Sequence, residues 1–225
     1  MDRGMFFKLH AYQYHTLLDF RIVHSDAAHD YAALHGFIGN QGVPDVDQAL
    51  NELTLKPILE PYRVIINKGY LEYLIQKYAS IQEIDDIEGR EIPERIVRFL
   101  DGIAHYAGKP GAHEEVNREI ISLFTNALIL PGELKKRLEG TSTKTAKIIG
   151  ALLKPLQADP ARQVTLLTTA LISRIGKLAD SDDFSERSLS WLDECRLNKP
   201  FEETLESMQV ADQEIHNLFL LLRIG

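Results

Sequence analysis

The chain has a single cysteine, Cys195, among 225 residues. It can therefore form neither an internal disulfide nor a cysteine-based zinc site. Positive charge is in deficit: 25 Lys and Arg stand against 33 Asp and Glu, a net charge of −8. No global positive field draws in nucleic acid or an anionic membrane, which leaves only a local basic patch for such contacts. Long apolar runs are absent, and the opening MDRGMFFKLH lacks the apolar core of a signal peptide. The expectation is a soluble protein of a reducing cytoplasm with no membrane contact. Three motifs are missing as well: no G-x-S-x-G, no complete phosphate-binding G-x-x-x-x-G-K-[ST], and no D-x-D-x-D-G calcium loop. Cys195 sits between Glu194 and Arg196 with no histidine nearby in sequence, so nucleophilic catalysis has little to build on. What is present, 44% hydrophobic and 26% charged residues, is ordinary for a globular chain long enough for one large or two small domains.

The patterning predicts a mostly α fold, a bundle of roughly seven to nine helices. Two or three short strands, or one hairpin, are expected only within residues 1–67. Phe7, Leu9 and Ala11 alternate with polar residues, as do Leu18, Phe20 and Ile22, and Arg63-Val-Ile-Ile66 is β-branched. Ser25 reads as a cap for a helix that Gly36 stops, and a short helix follows near Val46–Leu55, with Pro57 and Pro61 bracketing an irregular link. Tyr70, Leu71, Leu74, Ile75 and Tyr78 recur at helical spacing. Glu83–Glu91 (EIDDIEGRE), five carboxylates and one arginine, reads as a solvated connector. It divides a mixed region, 1–82, from a helical bundle, 92–225, unless the chain is one continuous domain. Pro93 is expected in the first turn of ERIVRFLDGIAHY, and Pro131 or Gly132 at the start of a short piece ending at Gly140. Asp159-Pro160 and Asp183 with Glu186 mark two further helix starts.

Four constellations are candidates for function. His10–His35 holds five of the eight histidines, and on a helix Asp26 and His29 share a face. His29, Asp30 and Asp26 are therefore the candidate ligands of a divalent metal, although no cofactor is the default expectation. The doublet His29-Asp30 resembles that of metal-dependent phosphohydrolases of the HD superfamily, with His10 or His24 and Asp101 in the outer roles. The glycine turn that follows the doublet in that family is absent here. Arg98, Asp101 and His105 line up along one helix face, a spacing that resembles the Arg-x(4–6)-His motif of HEPN-type ribonucleases. That resemblance implies an acid/base role for His105 and phosphate stabilisation by Arg98. The same residues are also what the wet face of an amphipathic helix looks like, and Arg3–His10 has the same form.

The third constellation is a basic island. Lys135, Lys136, Arg137, Lys144, Lys147 and Lys154 face only Glu133 and Glu139 across residues 133–154. Lys144 and Lys147 near a helix start are candidates to hold an acidic partner or phosphate. The fourth is the C-terminus, where Phe219–Leu222 are consecutive apolar residues. The last helix is either central in the core or meets a protein partner or a second copy through Leu218, Phe219 and Leu222. The favoured reading is a helical protein-interaction or regulatory module without complete catalytic machinery. The alternative is a phosphodiester or phosphate-ester hydrolase, HEPN-like or metal-dependent.

Overall fold

Ten α-helices and one 3-10 turn make up the regular structure of the described residues, and no strand occurs among them. The computed structural model describes residues 23–25, 30–39, 43, 45–79, 83–111, 113–139, 143–179 and 183–224. The hairpin expected before residue 23 lies outside these. Two compact units divide between Leu53 and Thr54. In the first, α1 (Tyr31–Ile38) begins where Asp30 Oδ1 accepts the Ala33 amide at 2.8 Å, and it runs through Gly36 to stop at Gly39. Leu34, Ala49 and Leu50 form its small core.

The region from 46 to 66 departs most from expectation. α2 is one helix, Val46–Ile65, with Pro57 and Pro61 inside it and Arg63–Ile65 as its last turn rather than a strand. A proline inside a helix costs about 3 kcal/mol relative to alanine. Against that stand Ile58, Leu59, Tyr62, Ile65 and Ile66, all buried. Each such side chain contributes roughly 1.5–3 kcal/mol, so burial on one helical stripe outweighs both the prolines and the β-branched preference. Prolines also sit inside α4 (Glu88–Tyr106), α5 (Glu114–Glu139) and α6 (Thr143–Ala158), five of the nine in the chain. α4 thus starts five residues before Pro93, and α5 continues through Pro131 and Gly132, which are buried rather than opening a new helix.

The acidic connector is shorter and less solvated than its composition suggests. α3 (Lys68–Tyr78) is capped by Asn67 and buries Leu71, Leu74, Ile75 and Tyr78. Its last turn reaches Glu88, which is only 1% exposed. The Tyr73 hydroxyl donates to Glu88 Oε1 at 2.5 Å, and Lys77 Nζ and the Tyr78 hydroxyl donate to Oε2 at 2.6 and 3.3 Å. Lys77 also pairs with Asp85 at 2.7 Å, and Asp85 Oδ1 accepts the amides of Ile87 and Glu88. Hydrogen bonding with Glu88, then with Lys77, holds the Asp85 carboxyl well below the usual carboxylate range. The bonds to Asp85 and Glu88 raise Lys77. A buried carboxylate is stable only when paired and hydrogen-bonded in this way, so the stretch ties α3 to α4.

α7 (Pro160–Ile172) starts from the Asp159 cap with proline at its first position, as its sequence predicts. A 3-10 turn (Ile175–Ala179) leads to α8 (Phe184–Glu194), capped by Asp183, then α9 (Asn198–Ser207) and α10 (Asp212–Ile224). α5 is flanked by α3, α4, α6 and α7, while α10 packs on α7 and α9. Trp191, Phe99, Phe124, Phe201 and Tyr62 are fully buried in the second unit's core. Cys195 is buried there too, and burial, with the nearby Glu194, pushes its thiol up to about 12. No helix among the described residues is long and apolar enough to cross a membrane.

Candidate functional site

Arg98, Asp101 and His105 lie on the exposed arc of α4, and the opposite arc of Ile92, Ile96, Phe99, Leu100 and Ile103 is core. Arg98 Nη2 donates to Glu94 Oε1 at 2.5 Å, with both side chains about two-thirds exposed. The three are neighbours along one helix, as their spacing alone dictates. Asp30 is engaged as the cap of α1, while Asp26 and His29 lie outside the described residues. No three His, Cys, Asp or Glu among the described residues are grouped to hold a metal. Lys147 is exposed on α6; the Lys144 side chain lies outside the described residues.

A different feature gathers residues from four helices. A groove of about 460 Å³ opens between α5, α6, α7 and α10. α5 supplies Leu130 and Leu134, four apart and so on one face. Ala151, Pro155 and Leu156 come from α6, Leu166 from α7, and Leu218 and Leu221 from α10. Its volume is that of a ligand-sized site, but it is open to solvent rather than an enclosed chamber.

Three polar side chains reach the groove, and each has a partner already. The hydroxyls of Thr165 and Thr169 donate to the carbonyls of Ala161 and Thr165, both at 2.9 Å, one turn back along α7. Arg162 Nε donates to Asp159 Oδ2 at 3.1 Å. With these donors engaged within α7 and its cap, the lining offers apolar surface and shape rather than acid–base chemistry. A second, shallow basin shares Ala151, Pro155 and Arg162 with the groove and adds Lys154, Ala158 and Asp159, so charged residues of both signs border the apolar lining.

Of the residues expected to meet a partner, Leu218 and Leu222 are each 2% exposed and belong to the core, and Phe219 is partly buried against it; the exposed residues of the run are Leu220 and Leu221, at 46% and 52%. The consecutive run Phe219–Leu222 is legible in the sequence as apolar on two sides of α10; which side is core depends on packing against α7 and α9. The apolar lining from α5 and α7 has no distinct signal in the sequence. The signal for α6 was available: Ile148, 59% exposed, and Ala151 extend its apolar surface beyond the stripe of Ile149 and Leu153 that the fold buries. Comparison with protein-family models, with curated proteins and with solved structures finds no match for this chain.

Proposed function

We propose that the protein is a helical interaction module that receives an apolar segment of another protein in the groove between α5, α6, α7 and α10. The observation that carries this reading is an open groove of about 460 Å³ lined mainly by apolar side chains from four helices, whose three polar lining residues are hydrogen-bonded within α7 and its cap. Lining of that kind suits an amphipathic helix laid into a groove, where burial of alternate turns supplies the affinity. The exposed Leu221 stands at its edge, as a residue that gains burial only on docking would. A reducing cytoplasm fits the lone buried thiol of Cys195.

The reading is tested with an amphipathic peptide of about four helical turns carrying leucines on one stripe and glutamine elsewhere. Fluorescence anisotropy should register its binding to the whole chain. Leu221→Arg and Ala151→Trp, both at exposed lining positions, should each weaken it by about tenfold or more without changing the melting temperature. Absence of binding, or equal binding by wild type and both variants, removes the reading.

A further inference from the structure

We infer that the segment received by the groove is acidic: an amphipathic helix with carboxylates flanking its apolar stripe. This rests on the docking reading and adds the chemistry of the partner. The charge around the rim carries it. On α5 the lining residues Leu130 and Leu134 are followed on the same face, three residues on, by Arg137. On α6, Ala151 lines the groove, and Lys147 and Lys154 lie four residues before and three after it, hence on the same stripe. Lys154 also lines the basin that continues the groove. On α7, Arg162 is held by Asp159.

The acids at the rim are Asp159, which Arg162 neutralises, Glu133, three residues after Leu130 on α5, and Glu214, one turn before Leu218 on α10. Arg137, Lys147 and Lys154 are exposed, and none forms an ion pair with a described residue. Elsewhere its surface cations are commonly tied to acids, as Arg63 is to Glu203, Lys177 to Glu119 and Arg223 to Asp193. In a chain of net charge −8, the stretch 133–154 that supplies these three cations carries six Lys and Arg against Glu133 and Glu139, a local excess of positive charge beside one apolar groove. Complementarity of this kind selects partner and orientation and speeds encounter more than it adds affinity, and it weakens with salt. A partner of excess positive charge has Glu133 and Glu214 to meet at the rim, against Arg137, Lys147 and Lys154.

The test compares three versions of the leucine-striped peptide that differ only in the flanking residues: glutamate, glutamine or lysine. The expected order of affinity for the whole protein is glutamate, then glutamine, then lysine, with about tenfold or more between the first and last. The gap should shrink in high salt and in the double variant Lys147→Glu/Lys154→Glu, which leaves the apolar lining intact. Equal binding of all three overturns the acidic preference while leaving the docking reading in place. Tightest binding of the lysine peptide also overturns it. Failure of every version removes both. Two controls address other occupants. Sedimentation of the protein alone that shows a dimer abolished by Leu221→Arg would assign the groove to a second copy. Binding to phosphatidylglycerol vesicles without binding to any peptide would assign it to a lipid surface. Either result overturns the inference.

Discussion

Pro57 and Gly102 meet with no side chain between them: a Cβ on Gly102 would stand 2.5 Å from the Pro57 carbonyl oxygen. The carbonyl is available for this approach because the residue four positions on, Pro61, has no N–H to donate to it. α2 and α4 can therefore come backbone to backbone, with Tyr62 and Phe99 one turn further along at a ring separation of 5.1 Å. Gly102→Ala must push the two helices apart and should destabilise by about 1–3 kcal/mol in urea titrations. Gly150→Ala, in a helix with nothing within 4 Å of the added atom, should instead stabilise by about 0.5–1 kcal/mol. Two effects of the same sign would contradict this account of the seam.

Much of the helical fold is legible from spacing. Leu71, Leu74, Ile75 and Tyr78, the apolar arc of α4, and the Asp159 and Asp183 caps all fall where the sequence puts them. What is not legible has a common cause. Pro57, Pro61 and Pro131 are local breakers overridden by burial, and Arg63–Ile66 is a local strand former overridden the same way. Glu88 looks solvated because its partners Tyr73 and Lys77 belong to another helix. The candidate site was half visible. Leu218–Leu222 and the 135–154 island each belong to helices that border the groove, but nothing in one dimension says that α6 and α10 border the same one.

Two helices end without the glycine that usually marks such an end. Arg196 and Gln209 have φ of 52° and 63°. Each is followed by an amide that reaches back to a carbonyl, Leu197 to Leu192 and Val210 to Leu205, closing the helix as Gly108 does for α4. A side chain in this conformation costs about 1–2 kcal/mol, which glycine avoids while giving back part through its looser unfolded state. Gln209→Gly and Arg196→Gly should each raise the melting temperature by a few degrees, for a net gain of about 0.5–1 kcal/mol. A fall in both would show that these side chains have a further role.

The Lys77 cluster gives a pH dependence with a definite sign. The Asp85 carboxyl titrates lower in the folded state, so its stabilisation is present above its unfolded pKa of about 3.9 and lost as pH falls through the folded value. Lys77 titrates higher, so its contribution is full below about 10.4 and lost as pH rises through the folded value. Lys77→Met should be less stable than wild type at neutral pH, and the difference should narrow as pH is lowered below about 4. Denaturant midpoints across pH decide it. A difference that stays constant down to strong acid would place the effect in packing rather than in the charge cluster.

Cys195 reports on opening of the core. Its thiol is buried and pushed up to about 12, so it is protonated and shielded at ordinary pH. A thiol reagent at pH 8 should label native protein only at the rate at which the core opens, and should label urea-unfolded protein at once. The same shift adds stability that is full below about pH 8.5 and is lost as pH rises toward the folded value. Fast labelling of the native protein would mean that α8 and the turn after it open locally.

The groove is the centre of the account, and amide chemical-shift mapping tests it most directly. Titrating the labelled whole chain with the glutamate-flanked peptide should move resonances along Leu130–Arg137, Lys147–Leu156, Arg162–Thr169 and Leu218–Leu221, the segments that line the channel and its rim. Resonances around Arg98–His105 on the exposed arc of α4 should stay in place. Shifts confined to that arc, or no shifts at saturating peptide, would contradict the assignment of function to the groove.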